Sequence, residues 1–211
     1  METTASTTTS LASVTLEVAD VEAARRFYAA FGLEAHVRLR ASEARTSGFR
    51  GFTLGLTVSN PATVDGFLDA AVDAGATVLK PATKSLWGYG GVVRAPDGTI
   101  WKIATSAKKD TGPDTGRIDD LVLLLGVEAV KTTRQFYTDR GLTVAKSFGS
   151  KYVEFAAAPS SPVKLALYKR RALAKDLGVP ADGTGSHRVV LGSTADTFTD
   201  PDGFTWEPAA A

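Results

Sequence analysis

Two short motifs occur twice in this chain, in the same order. Arg26-Phe27-Tyr28 leads into Phe31-Gly32-Leu33, and Gln135-Phe136-Tyr137 leads into Arg140-Gly141-Leu142 at the same internal spacing. Pro96-Asp97-Gly98 precedes Trp101-Lys102, and Pro201-Asp202-Gly203 precedes Trp206-Glu207. Phe27 to Phe136 is a step of 109 positions and Pro96 to Pro201 a step of 105. A near-constant step at two separate landmarks marks a tandem duplication. It divides the 211 residues into two similar halves of roughly 100 residues, each long enough for one small domain. The halves differ where the second motif ends, in a lysine (Lys102) and a glutamate (Glu207).

Hydrophobic periodicity gives each half a β-α-β character. Val14, Leu16 and Val18 alternate with Ser13, Thr15 and Glu17, which predicts a strand with one buried face. Asp20 is placed to cap a helix that ends near Phe31, with Gly32 as its left-handed stop. A second strand is expected at 35–40. Leu54, Leu56 and Val58 repeat the alternation, and Asn60-Pro61 opens a second helix that Gly75 closes. Strands are expected near 77–80, 91–95 and 99–105. In the second half, strands are expected near 119–126, 143–148, 151–156, 163–168 and 187–191, with helices near 128–140 and 171–177. No helix fits between Leu191 and Phe198, so the strand before that gap needs cover from elsewhere. The expected domains are 11–107 and 118–208, joined by the polar stretch KKDTGPDTGR at 108–117 and preceded by a flexible tail at 1–10.

Charge and composition narrow the class of function. A net charge of +1 gives no general reason to expect nucleic acid or an anionic membrane as partner. The absence of cysteine removes disulfides, thiolate ligands and a cysteine nucleophile. No apolar run approaches the ~20 residues of a membrane span, and METTASTTTS lacks the basic and apolar regions of a signal peptide. A cytoplasmic protein is the expectation.

Val14-x-Leu16-x-Val18-x-Asp20, Phe27-Tyr28, Gly32-Leu33 and Pro96-Asp97-Gly98, with their repeats, resemble the vicinal oxygen chelate superfamily over 12–106 and 118–208. This is the group of glyoxalase I, the extradiol dioxygenases and the bleomycin- and fosfomycin-resistance proteins. The resemblance implies an α+β fold of two tandem glyoxalase-like domains, built from paired βαβββ modules whose curved sheets form cups. Helices pack outside the cups and small-molecule ligands bind inside. It also implies where metal ligands would stand. In the first copy these positions carry Ser13, Thr53 and Lys102, which make no divalent-metal site. In the second copy they carry Asp120, His187 and Glu207, one imidazole and two carboxylates, a set that can hold a divalent cation. The alternative there is a hydrogen bond between His187 and Glu207 across neighbouring strands.

Other candidates come from the residues themselves. Trp101 and Trp206 alternate with Lys102 and Glu207, so the tryptophans belong under the helices and the charges in the cup. Glu17 and Lys102 are expected to pair. The glycine-rich Trp87-Gly88-Tyr89-Gly90-Gly91 offers two aromatic walls, Trp87 and Tyr89, to a ligand, or two anchors for a loop. Tyr168-Lys169-Arg170-Arg171 is either an anion clamp or a solvated surface. Glu17, Thr53, Lys102, Tyr168 and Lys169 complete the ligand-binding candidates. The leading expectation is a small-molecule binding protein without metal in its first copy. Its rival is a metal-dependent lyase, isomerase or dioxygenase, with His187 and Glu207 catalytic and Asp120 completing the metal set. A third reading is an interaction module with filled cups. A homodimer with shared cups and a single chain with internal ones both fit the sequence.

Overall fold

The computed structural model describes residues 9–158, 161–194 and 196–209, so the tail at 1–8 lies outside the described residues. The elements fall into four units. The first holds β1 (Leu11–Val18), α1 (Val21–Ala30), β2 (Arg38–Ala41) and β3 (Thr46–Gly48). The second holds β4 (Phe52–Thr57), α2 (Pro61–Asp73), β5 (Thr77–Ser85), β6 (Gly88–Arg94) and β7 (Ile100–Thr105). The third holds β8 (Asp120–Val127), α3 (Val130–Thr138), β9 (Val144–Phe148), β10 (Tyr152–Phe155) and β11 (Lys164–Lys169). A short helix, α4 (Arg170–Leu177), and β12 (Gly183–Gly185) lead to the fourth unit of β13 (Val189–Ser193), β14 (Phe198–Thr199) and β15 (Thr205–Pro208).

The helix starts follow local chemistry. Asp20 accepts the Ala23 N–H at 2.9 Å, and Asn60 accepts the Thr63 N–H at 2.9 Å ahead of Pro61. Gly32 takes the left-handed conformation, at φ 80°, just after α1. The glycine-rich stretch around Trp87 is a hairpin between β5 and β6, longer than the alternation of 77–80 and 91–95 indicates. A Cβ on Gly90 would lie 2.6 Å from the Ile103 carbonyl oxygen, so the glycine is what lets β6 pair with β7.

Two large sheets result, with strand orders β5-β6-β7-β4-β8-β11-β10-β9 and β14-β15-β13-β1-β2. Their central junctions are antiparallel: Leu54 stands opposite Leu123 in one and Val14 opposite Leu191 in the other. The modules therefore pair across the two halves of the sequence rather than within them. Unit two joins unit three, and unit one joins unit four. The first partnership is complete. The second is reduced, because among the described residues unit one has a single short strand beside β1 and unit four has no helix.

One face of each sheet is buried in a common core. Leu16, Leu54, Leu56, Trp101, Leu123, Leu125, Leu191 and Trp206 share one apolar cluster with α1, α2 and α3. The duplicated landmarks meet there. Tyr28 lies 5.9 Å from Trp101 between ring centres and donates to Asp97 at 2.7 Å. Tyr137 lies 5.4 Å from Trp206 and donates to Asp200 at 2.6 Å. Burial, reinforced by the neighbouring carboxylates, holds both phenols well above their ordinary pKa. The fourth unit's missing helix is covered by α3, whose Phe136 sits 5.9 Å from Phe198, itself stacked on Trp206.

The opposite face of the eight-stranded sheet carries α4. Leu173, Ala174 and Leu177 pack there with Phe49, Val92 and Ile100 in a separate, smaller cluster. Two fully buried leucines contribute about 1.5–3 kcal/mol each, enough to hold this short helix down. Among the described residues, no helix is long and apolar enough to cross a membrane.

Candidate functional site

The exchange of units separates the three residues expected to form a metal set. Asp120 opens β8 in the eight-stranded sheet and forms an ion pair with Lys164 at 2.5 Å. Glu207 lies in β15 of the five-stranded sheet and pairs with Arg40 at 2.9 Å. The same guanidinium binds Glu17 at 2.8 Å, which replaces the expected Glu17–Lys102 pair. His187 precedes β13 and points to neither carboxylate. Its Nδ1 is 2.5 Å from the Arg50 carbonyl oxygen and its Nε2 is 3.0 Å from that of Asp202. Its ring stacks on Phe204 at 4.0 Å, so the imidazole is a structural peg rather than a partner of Glu207.

The rest of the donor chemistry also fails to fit a glyoxalase-type metal. Thr53 is buried and its hydroxyl donates to the Ile100 carbonyl at 2.8 Å, so it is spent on the sheet. Arg40 on β2, Lys102 on β7, Lys164 on β11 and Glu207 on β15 stand on the faces turned away from the common core. Three of these four are cations, which repel a divalent ion. Among the described residues, no group of three or more histidine, aspartate or glutamate side chains could hold a metal.

What the eight-stranded sheet does present is a cup with α4 seated in it. Two cavities flank that helix and the segment following it. One, of about 310 Å³, lies beside Arg50, Arg94, Thr99 and Ile100 on one side and Val179, Pro180 and Asp182 on the other. The second, of about 280 Å³, lies over Gly90, Val92, Lys102 and Ala104, between Asp176 of α4 and Trp87 at the hairpin tip. Lys102 Nζ is 2.5 Å from Asp176 Oδ2, with both side chains about two-fifths exposed. Lys80 donates to the carbonyls of Lys175 (3.1 Å) and Asp176 (2.5 Å), at the end of α4 where the helix dipole favours a cation.

The remaining candidates divide around this cavity. Lys102 and Trp87 border it, and Trp87 is 85% exposed. Tyr89 contributes backbone to its wall, but its ring lies on the helix side of the sheet, where the hydroxyl donates to Asp65 of α2 at 2.8 Å. That bond pushes the phenol up to about 12. Tyr89 is thus an anchor of the hairpin and Trp87 its free aromatic. Tyr168 packs against the α4 cluster, Lys169 is the capping residue of α4, and Arg170 donates to the Phe49 and Ala181 carbonyls. The basic run therefore starts a helix instead of clamping an anion. Glu17 belongs to the other sheet. Lys80, Asp176 and Arg40 were not singled out by sequence reasoning; only the alternation that turns Lys102 away from Trp101 pointed at this face.

No family profile matches the chain, and no curated relative matches it. Solved structures do. Glyoxalase I from Zea mays superimposes over 94% of this chain and 91% of its own, at 12% identity and a TM-score of 0.58. A proposed dioxygenase from Bacillus subtilis superimposes over 93% and 83%, at 10% identity and a TM-score of 0.59. At such identities the likeness is one of architecture. This chain shares the α+β fold of those two structures.

Proposed function

We propose that this protein binds a small organic molecule in the cup of its eight-stranded sheet, and that it does so without a metal. The observation that carries the reading is the cavity of about 280 Å³ over β6 and β7, with an exposed indole at one end and an ammonium at the other. A concave, largely apolar site with a few placed polar groups is the usual form of a small-molecule site. The donor chemistry supports metal-free binding, since both cup-facing residues on the last strands, Lys102 and Lys164, are cations engaged with carboxylates. The metal-dependent lyase, isomerase or dioxygenase reading needs Asp120, His187 and Glu207 together, and their separate partners argue against it. Because units two and three complete the sheet within one chain, the cup needs no second copy, so the homodimer reading loses its motive.

The test is a fluorescence titration of the full chain with a panel of small aromatic acids and amides. The chain has three tryptophans, of which Trp101 and Trp206 are buried, so a cup ligand should quench the Trp87 signal and leave Trp87→Phe nearly silent. Stoichiometric divalent metal in the purified protein, with binding lost on chelation and restored on reloading, would overturn the metal-free reading.

A further inference from the structure

The carboxylate of Asp176 sits where a ligand's own anionic group would sit. Resting on the reading of the cup as a binding site, we propose that its ligand class is the small aromatic carboxylates, and that α4 holds the anion subsite closed with an internal mimic. Three observations converge. Lys102 is the cationic side chain on the cavity floor whose charge meets a carboxylate, and that carboxylate, from Asp176, comes from α4 rather than from the sheet. Both groups remain about two-fifths exposed at the cavity rim, so an entering carboxylate can reach Lys102 without crossing the core. At the far end of the same cavity Trp87 stands exposed on a hairpin held by Tyr89, at a distance set by β6 rather than by a mobile loop. Between the two lie Gly90, Val92 and Ala104, a floor without bulky polar groups. A ligand with a planar ring over that floor, beside the indole, and a carboxylate at the ammonium would use all three features.

Asp176 competes with an anionic ligand for Lys102. A neutral molecule leaves the Lys102–Asp176 pair intact and gains only the apolar contacts. An aromatic acid exchanges one carboxylate for another, so its net gain is the difference between two similar ion pairs plus the ring contacts. The internal carboxylate therefore weakens acid binding, and removing it should strengthen acids alone. Lys80 keeps the end of α4 in place through the carbonyls of Lys175 and Asp176, so the exchange moves the Asp176 side chain before it disturbs the helix.

Three proteins, the wild type, Asp176→Asn and Lys102→Met, are titrated with 1-naphthoate and with 1-naphthamide, followed by Trp87 quenching. Asp176→Asn is expected to bind 1-naphthoate about 3- to 5-fold more tightly than wild type, the size of one partly exposed ion pair, and 1-naphthamide unchanged. Lys102→Met, which leaves the Asp176 carboxylate without its ammonium, is expected to lose affinity for the acid and to bind the amide as the wild type does. Circular dichroism of each variant checks that the fold is retained. If both probes bind and Asp176→Asn does not favour the acid, the anion subsite is overturned while the cup reading stands. If neither probe binds any of the three proteins, both are overturned.

Discussion

The hydroxyl of Tyr137 joins two buried groups, the Trp206 indole and the Asp200 carboxylate, whose other oxygen accepts the Asp202 and Phe204 N–H groups. It donates to Asp200 at 2.6 Å and accepts from the Trp206 indole N–H at 3.1 Å. Its counterpart Tyr28 serves Asp97, while the Trp101 indole N–H approaches the same hydroxyl without reaching hydrogen-bond geometry. Asp200 is buried, and burial raises its pKa, whereas Asp97 is only half-buried and water can replace a lost partner. Tyr137→Phe should therefore cost about 1–3 kcal/mol in urea unfolding and Tyr28→Phe about 1 kcal/mol. The two phenols also set the alkaline limit of stability. Each has a folded pKa above its ordinary value of 10.0, so the stabilisation is complete below pH 10 and is lost as pH rises through the folded value. Stability measured between pH 9 and 11 should fall above 10, and the double Tyr→Phe variant should show a shallower fall.

At the scale of elements, α4 is distinct from the other helices. It belongs to the smaller apolar cluster on the cup face, while α1, α2 and α3 share the main core. Local opening follows such boundaries. Leu177→Ala is expected to cost about 2–4 kcal/mol, taken mainly from α4: amide exchange in 170–178 should accelerate far more than exchange in α2 or β8. The strands and helices of the main core were legible from the sequence because their apolar positions repeat with a period of two or three to four. Asp20, Asn60-Pro61 and the glycines marked their ends. The role of α4 was not legible, because nothing in Arg171–Leu177 says which face of which sheet its leucines will meet. The same limit applied to His187. Its residue type suited a metal, but one of its two carbonyl partners, Arg50, stands 137 positions away in the chain and the other, Asp202, lies beyond the intervening strand β13.

The whole molecule is organised by a nested pairing: the inner units join each other and the outer units close around them. The halves recognised through their repeated motifs share the core and both large sheets. Expressed separately, residues 1–107 and 118–211 should each lack a cooperative unfolding transition, since β1 and β13 would lose each other and β4 and β8 would part. Mixing the two fragments should restore near-native circular dichroism and a cooperative transition. The Lys102 and Glu207 difference also takes its meaning at this scale. The two residues stand in different sheets, one facing α4 and the other facing Arg40, so they never contribute to one site.

The partnership of β1 with β13 bears on how the chain is made. Strand β1 leaves the ribosome well before its antiparallel neighbour β13, with every strand of the eight-stranded sheet translated between them. Meanwhile β4 and β8 can pair and build the larger sheet. Until β13 is made, β1 therefore presents its backbone donors and acceptors on the side later taken by β13, an edge open to any passing strand. Nascent chains stalled before residue 189 should be the aggregation-prone species of this protein, and folding of the smaller sheet should wait until β13 and β15 have emerged.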